Sequence, residues 1–340
     1  MPYWLHFLIL LIIAYVIISI AIYYLQDYLL FKPEKLPEDF QFYYENQDIK
    51  EYNLETRDGA TINALLFKPK GESQGIVFYL KGNSKSIKGW GKFAVDFTRH
   101  NYNVLMVDYR GFGKSTGRRS QKAIKRDLQE VYNKIKEETT EDRIIVYGRS
   151  LGSGFAAKLA SMNNPKMLIL DAPYYSLTKV TARYAPFMPL SILIKYPLPT
   201  YKWLKYVQCP IHIIHGTNDT LIPYKTSVKL SKVNPKLTKL HTVIGGGHKN
   251  LNNFESYHKM MHEIINSKSE PIDLSTTSIH VVHGTKRKIT FTGCIDRIDK
   301  IGDQYRVIDY KSGNVKEGDV NFSEKDSAVL SFSKCKHAVQ

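Results

Sequence analysis

The longest apolar run comes first. From Leu5 to Leu25 every side chain is apolar or aromatic except His6 and Ser19, and no Asp, Glu, Lys or Arg precedes Asp27. These 21 residues, at a helical rise of about 1.5 Å each, span roughly 30 Å, the hydrocarbon thickness of a bilayer. Tyr3, Trp4, Tyr23 and Tyr24 bracket the run, as rings that prefer the water–lipid boundary should. A cleaved signal peptide needs a basic start, a shorter apolar stretch and a small-residue cleavage site. The run offers none of these clearly, so residues 1–31 read as an uncleaved, single-pass membrane anchor with the lipid bilayer as partner. Lys32 and Lys35 follow it. On the positive-inside rule they lean the remaining chain toward the cytoplasm, although Glu34, Glu38 and Asp39 stand among them.

Beyond the anchor the pattern changes to short apolar, β-branched runs: Ile76–Leu80, Val104–Asp108, Arg143–Tyr147, Met167–Asp171, Ile211–His215 and Lys239–Val243. They are continuous and not alternating, as suits strands buried on both faces of a parallel sheet. Helical patterns separate them, among them Ser120–Thr139 and Ser153–Ser161, and Asn250–Asn266 reads as a final helix. Strand and helix in alternation predict an α/β fold, a mostly parallel sheet with helices on both faces. Ligands then bind beyond the carboxyl ends of the strands. Residues 172–206 break the rhythm with five prolines and eight aromatics, and a short aromatic lid is expected there. After Ser267 the sequence becomes β-rich. The predicted organisation is an anchor over 1–31, an α/β domain over 32–269 and a separate segment over 270–340.

Chemistry sits at the predicted strand ends. Gly148-Arg149-Ser150-Leu151-Gly152 follows one strand and opens a helix. This is G-x-S-x-G in the context that gives it meaning, since so tight a turn leaves no room for flanking side chains and lifts the serine above the sheet. A serine hydroxyl needs an adjacent base, and His248 follows Gly245-Gly246-Gly247 after the last strand. The base needs an acid to fix its tautomer, and Asp219 follows the strand Ile211–His215. Ser150, Asp219 and His248 therefore fall in the chain order that a strand–turn–helix serine elbow on this kind of fold uses. Backbone donors for an oxyanion are expected at Leu151, directly after the nucleophile, and at Asn83 in the loop after the strand Ile76–Leu80. Asp108 and Asp171 end strands, where pocket or capping roles are open to them. His258 and His262 lie four apart with no third ligand evident, so they read as ordinary helical histidines.

Residues of about 50–266 resemble the α/β-hydrolase superfamily, in its membrane-anchored abhydrolase and serine-aminopeptidase-like branch. The stretches that carry the resemblance are Leu80-Lys81-Gly82-Asn83, Asp108 to Ser115 (DYRGFGKS), the serine elbow, His215-Gly216-Thr217-Asn218-Asp219 and Gly247-His248. Many relatives have histidine where this chain has Lys81, a departure that bears on the charge of the pocket. The resemblance implies hydrolysis of an acyl ester, thioester or amide on a small acyl-type substrate, with no cofactor and no metal. A non-catalytic binding protein on the same fold is a second reading.

The tail points to different chemistry. Lys288–Ile298 (KITFTGCIDRI) and Tyr305–Lys311 (YRVIDYK) read as two strands joined by a turn at Lys300–Asp303. On such a hairpin Asp309 and Lys311 share a face, and with Asp296 they could hold a hard cation beside a phosphate. This stretch resembles the PD-(D/E)XK nucleases, most closely those of RecB- and AddB-type helicase–nucleases. The resemblance implies Mg²⁺ at Asp296 and Asp309, and a catalytic Lys311. The family also uses an upstream helix and a downstream helix with a Gln-x-x-x-Tyr motif. Neither is evident, so the segment reads as a partial domain with a vestigial site, carried by a natural fusion or by a composite gene. A DNA-processing nuclease, or the remnant of one, is therefore the alternative function.

Charge and cysteine content alter this picture little. The 340 residues carry 48 Lys and Arg against 32 Asp and Glu, a formal net charge of +16. Residues 270–340 are nearly balanced, with 11 basic and 10 acidic side chains. The excess is thus spread over the first 269 residues without a long basic run. That distribution suits a solvated surface, with some affinity for anionic lipid, and not a nucleic-acid stripe. Three widely spaced cysteines, Cys209, Cys294 and Cys335, form no disulfide or metal pattern.

Overall fold

The structure, a computed structural model, describes residues 2–267 and, beyond them, 277–282, 288–290, 297–301, 304–308 and 329–334. The chain divides into two units, Met1–Ser267 and Lys268–Gln340.

In the first unit eight strands form one sheet: β1 (Asp48–Glu55), β2 (Thr61–Lys68), β3 (Gly75–Leu80), β4 (Tyr102–Val107), β5 (Ile144–Arg149), β6 (Met167–Asp171), β7 (Ile211–Gly216) and β8 (Thr238–Val243). Their order is β1-β2-β4-β3-β5-β6-β7-β8, with β2 antiparallel to both neighbours and every later pairing parallel. Helices of eight residues or more are α1 (Tyr3–Leu30), α2 (Gln121–Glu138), α3 (Leu151–Ala160), α4 (Leu177–Tyr184) and α5 (Glu255–Asn266). All six expected strands are present, within two residues of their expected ends.

Their apolar runs are continuous because successive residues feed two cores. Phe78, Leu80, Val146, Leu168 and Ile213 face one layer with Leu128, Tyr132 and Phe155 of α2 and α3. Val77, Tyr79, Ile145, Tyr147 and Ile169 face the other, with Tyr257, Met261 and Ile264 of α5. Helix α2 begins where Ser120 accepts a hydrogen bond from the Ala123 N–H (3.0 Å). It buries Ile124, Leu128, Val131, Tyr132 and Ile135, one face at helical spacing.

β1 and β2 are additions to the expected set. β1 is the edge strand and none of its residues is fully buried; Ile49 packs on one core and Tyr52 and Leu54 on the other, so its sequence lacks an apolar run. The available signal was Asp58-Gly59 between two runs. Gly59 takes φ +76°, and the Thr56 N–H closes the turn on the Ala60 carbonyl (2.8 Å).

α1 is long and apolar enough to cross a membrane, with a mean hydropathy of 2.9 over an 18-residue window. Ser19 is its one buried side chain. Where it ends, Phe31 is buried against Phe112 and Tyr196, both edge-on. The 172–206 segment holds α4 and two short turns, Leu190–Leu193 and Thr200–Leu204. Its aromatics divide: Tyr174 and Tyr196 join the core, Tyr175 stacks on Tyr201, and Tyr184 and Phe187 are exposed.

In the second unit β9 (Thr277–Val282) pairs antiparallel with β10 (Lys288–Thr290) and with β13 (Val329–Lys334). β11 (Arg297–Ile301) pairs antiparallel with β12 (Gln304–Ile308). Of the strand expected over 288–298, Lys288–Thr290 lies in β10 and Arg297 and Ile298 in β11, which belong to different sheets, and residues 291–296 lie outside the described residues. Lys300 and Ile301, expected in the turn, belong to β11. Asp296, Asp309 and Lys311 lie outside the described residues, as do Cys294 and Cys335.

On neighbouring strands β7 and β8, His212 Nδ1 and His241 Nε2 are 3.0 Å apart. Burial, aided by the Lys239 charge, pulls both rings down to about 4. An unfolded imidazole binds its proton near pH 6.5, so the unfolded state gains protons first on acidification. This contribution is whole above about pH 6.5 and is lost as pH falls toward 4. We expect urea unfolding in mild detergent to show on the order of 5 kcal/mol lost between about pH 7 and 4.5, about half from each ring. His212→Phe should flatten that slope; an unchanged slope would rule the pair out as its source.

Candidate active site

The site lies beyond the carboxyl ends of β5, β7 and β8. Ser150 sits between β5 and α3 at φ 51°, ψ −117°, a strained conformation that turns its side chain out of the sheet. Gly152 is required by close approach, because a Cβ there would run into the Leu80 carbonyl. The Ser150 N–H donates to the Asp171 carbonyl at 2.9 Å, and Ser153 Oγ donates to the Ser150 carbonyl at 2.6 Å. Together these contacts hold the elbow from both sides.

The structure brings Ser150, His248 and Asp219 into one line. Ser150 Oγ is 2.8 Å from His248 Nε2, and His248 Nδ1 is 2.7 Å from Asp219 Oδ2. The two loops that carry the base and the acid are tied together. Asn218 N–H donates to the Gly246 carbonyl (2.9 Å), Thr217 N–H to the Val243 carbonyl (3.1 Å), and Gly245 N–H to Thr217 Oγ1 (2.9 Å). Asp219 is buried. Burial raises its carboxyl, but hydrogen bonds from His215, His248 and Ile222 outweigh that and hold it well below the usual range. It is ionised at neutral pH and can orient an imidazole.

Three residues around this line went unassigned from the sequence. His215 Nε2 meets both Asp219 Oδ2 (3.0 Å) and the Ile222 carbonyl (2.8 Å), so it carries the ring proton; Nδ1 accepts from Ser227 Oγ at 2.6 Å. The signal was its i, i+4 spacing to Asp219. Arg149 is buried 3.6 Å from Asp171 and donates to the Lys249 carbonyl (3.4 Å), joining the elbow to the His248 loop. Asp171 also accepts from Tyr147 and Tyr257.

Lys81 is the third. Its side chain is fully buried, 3.3 Å from Asp108, donates to the Lys85 carbonyl (3.0 Å) and lies over the Phe112 ring. Burial pushes it down to about 8 against the pull of Asp108. The substituted position thus turns its charge away from the pocket and uses it to brace the loop. Asp108 accepts the Ile87 N–H as well (3.1 Å), so its role is to hold this loop.

Leu151 is the first residue of α3, so its N–H has no partner within the helix. In the 81–85 loop Gly82 lies against Ser150: a Cβ built on it would be 3.8 Å from Ser150 Cβ. The Asn83 side chain is directed elsewhere, to the Leu30 carbonyl at the end of α1 (2.7 Å), and its carbonyl accepts from Lys32 (2.9 Å). The anchor's exit is thereby tied to the loop beside the nucleophile. A cavity of about 580 Å³ adjoins Asp219, lined by Arg183, Thr217, Pro223, Tyr224 and Lys225. His258 contacts Arg99 and the Asn252 carbonyl, while His262 packs on His100. Among the described residues no three His, Cys, Asp or Glu side chains are grouped as metal ligands.

Comparison with known proteins bears on the fold and on the family. The family described as serine aminopeptidase, S33, matches residues 71–203. An uncharacterized Mycobacterium tuberculosis protein is 29% identical over 198 residues, 57% of this chain and 70% of that protein. The lysophosphatidylserine lipase ABHD12 of Macaca fascicularis is 24% identical over 234 residues; the match spans 58% of this chain and 57% of that one. The Pyrococcus furiosus esterase Pf2001 superposes with a TM-score of 0.56 at 19% identity, covering 69% of this chain and 96% of the esterase. Est1E of Butyrivibrio proteoclasticus, solved with ferulic acid, gives 0.51 at 21%, covering 62% and 98%. The PD-(D/E)XK nuclease superfamily matches residues 249–327. That match begins upstream of the expected 270 and takes in α5, whose Tyr257, Met261 and Ile264 are buried in the first unit's core. The first unit therefore has the α/β-hydrolase fold, the chain is similar to the serine aminopeptidase, S33, family over residues 71–203, and over residues 249–327, overlapping α5, it is similar to the PD-(D/E)XK nuclease superfamily.

Proposed function

We propose that this protein is a membrane-anchored serine hydrolase that cleaves an acyl ester, thioester or amide. The observation that carries the reading is the unbroken hydrogen-bonded line Ser150–His248–Asp219 at the strand ends. His248 Nε2 takes the Ser150 proton as Oγ attacks the acyl carbon. The backbone N–H groups of Leu151 and Asn83 receive the oxyanion. His248 then gives the proton to the leaving alcohol, thiol or amine, leaving the acyl group on Ser150. Water, deprotonated by His248, releases the acid and restores the serine. Asp219 keeps the proton of His248 on Nδ1 throughout and stabilises the imidazolium. The apolar anchor and the lipase among the relatives favour an acyl lipid as substrate.

A fluorophosphonate probe offered to the full-length protein in detergent should label Ser150, and Ser150→Ala should abolish labelling. Labelling that persists in the variant would overturn the assignment. An unlabelled wild-type protein would favour a non-catalytic binding role on the same fold.

A further inference from the structure

Between Arg183 and Lys195 the chain runs Tyr184-Ala185-Pro186-Phe187-Met188-Pro189-Leu190-Ser191-Ile192-Leu193-Ile194, eleven residues without a charge. Phe187 and Ile192 are 86% and 80% exposed, and Tyr184 is 61% exposed, a cost in water that a soluble lid would avoid. This stretch lies along α1 and not over open solvent. Lys195 Nζ is 3.6 Å from Asp27, and Tyr196 hydrogen-bonds the same carboxylate. Gln26 donates to the Leu193 carbonyl (2.6 Å) and accepts the Lys195 N–H (2.8 Å). Further up the helix Ser19 meets Met188 Sδ (3.6 Å), and Tyr15 Oη donates to the Phe187 carbonyl (2.9 Å).

Asp27 is the first charge of the chain and marks where the apolar span ends. Tyr15 precedes it by 12 residues, about 18 Å of helix, and half the hydrocarbon thickness is about 15 Å. A segment docked at Tyr15 therefore reaches the depth of the acyl chains whenever α1 spans a bilayer.

We propose that Tyr184–Ile194 is a re-entrant segment that dips into the bilayer beside α1, so that the domain takes an acyl substrate directly from the lipid phase. This inference rests on α1 being in the membrane and not on the identity of the nucleophile. Non-helical backbone at that depth needs partners for its polar groups, and many of them are supplied. Pro186 and Pro189 have no N–H to satisfy. Tyr15 and Gln26 cover the Phe187 and Leu193 carbonyls and the Lys195 N–H. Within the stretch Met188 donates to Ala185, Ile192 to Pro189 and Ile194 to Leu190. Arg183 and Lys195 flank the uncharged stretch as snorkelling cations would. Arg183 also lines the cavity beside Asp219, so the point where the segment leaves the lipid adjoins the active-site line. The chemistry that fits is an amphiphile whose acyl tail stays in the bilayer while its ester reaches Ser150.

The test uses the full-length chain with Cys294→Ser and Cys335→Ser, Cys209 being buried, in phosphatidylcholine vesicles. An environment-sensitive fluorophore is attached at Phe187→Cys or Ile192→Cys. Leu11→Cys on α1 and the exposed Lys229→Cys are references for lipid and water. Expected are blue-shifted emission, quenching by acyl-chain nitroxides as at position 11, and loss of the iodide quenching seen at position 229. Iodide quenching at 187 and 192 equal to that at 229, with position 11 still in lipid, would overturn re-entry alone. Iodide quenching at position 11 as well would overturn both the anchor and re-entry. Fluorophosphonate labelling in the same samples reports the chemistry separately: lipid-phase signals at 187 and 192 without labelling would uphold re-entry and refute the serine nucleophile.

Discussion

Asp219→Asn is expected to cut hydrolysis of a water-soluble ester about ten-thousand-fold while the protein stays folded. The reason lies in which atoms face Asp219. Oδ1 accepts the Leu221 and Ile222 N–H groups at 2.9 and 2.8 Å. In asparagine that side must remain the carbonyl oxygen, so the NH₂ group is forced to the Oδ2 position. There it meets His248 Nδ1 and the proton-bearing Nε2 of His215. His248 would answer by giving up its Nδ1 proton and carrying one on Nε2, directed at Ser150 Oγ. The ring could then no longer take the serine's proton. The variant's kcat/KM should collapse through kcat, with fluorophosphonate labelling slowed in parallel. Activity within about tenfold of wild type would sink the orienting role of Asp219.

Asp127→Ala should strongly destabilise the fold at a site away from the catalytic line. Arg110 is buried and fully engaged, with Nε 2.6 Å and Nη2 2.8 Å from Asp127, and a second fork onto Asp58 at 2.9 and 2.7 Å. It lies just after β4 and ties the β1–β2 turn to helix α2. Removing Asp127 leaves a buried guanidinium with half its partners. A loss of about 3 kcal/mol is expected, the low end for a broken buried pair because Asp58 still holds the other face. Urea unfolding in detergent measures it. A loss below about 1 kcal/mol would class the pair with exposed ion pairs. Asp58 is half exposed, so Asp58→Ala should cost less than Asp127→Ala.

Both expectations begin from motifs that could be read directly, yet their force comes from atoms that could not. The G-x-S-x-G elbow announces a serine held out at a strand end because only glycine tolerates the Leu80 carbonyl at position 152. Nothing in the spacing of His215 and Asp219 says which ring nitrogen bears the proton. That follows from Ser227 and Ile222, one on each side of the ring. Lys81 shows the same limit. Read along the chain it suggested a charged pocket, whereas its burial against Asp108 and Phe112 removes that charge from the pocket altogether.

The sequence by itself determined the parallel strands, the apolar helix at the start and the order of Ser150, Asp219 and His248. Each of these is written in local periodicity or in residues a few positions apart. Only the tertiary structure decided that β1 and β2 extend the sheet, that Arg149 joins the elbow to the His248 loop, and that the 184–194 segment lies along α1 and not over solvent. Those outcomes depend on pairings between residues up to about 170 positions apart, as between Tyr15 and Phe187. Such pairings leave no local pattern, because one partner's polarity is intelligible only beside the other.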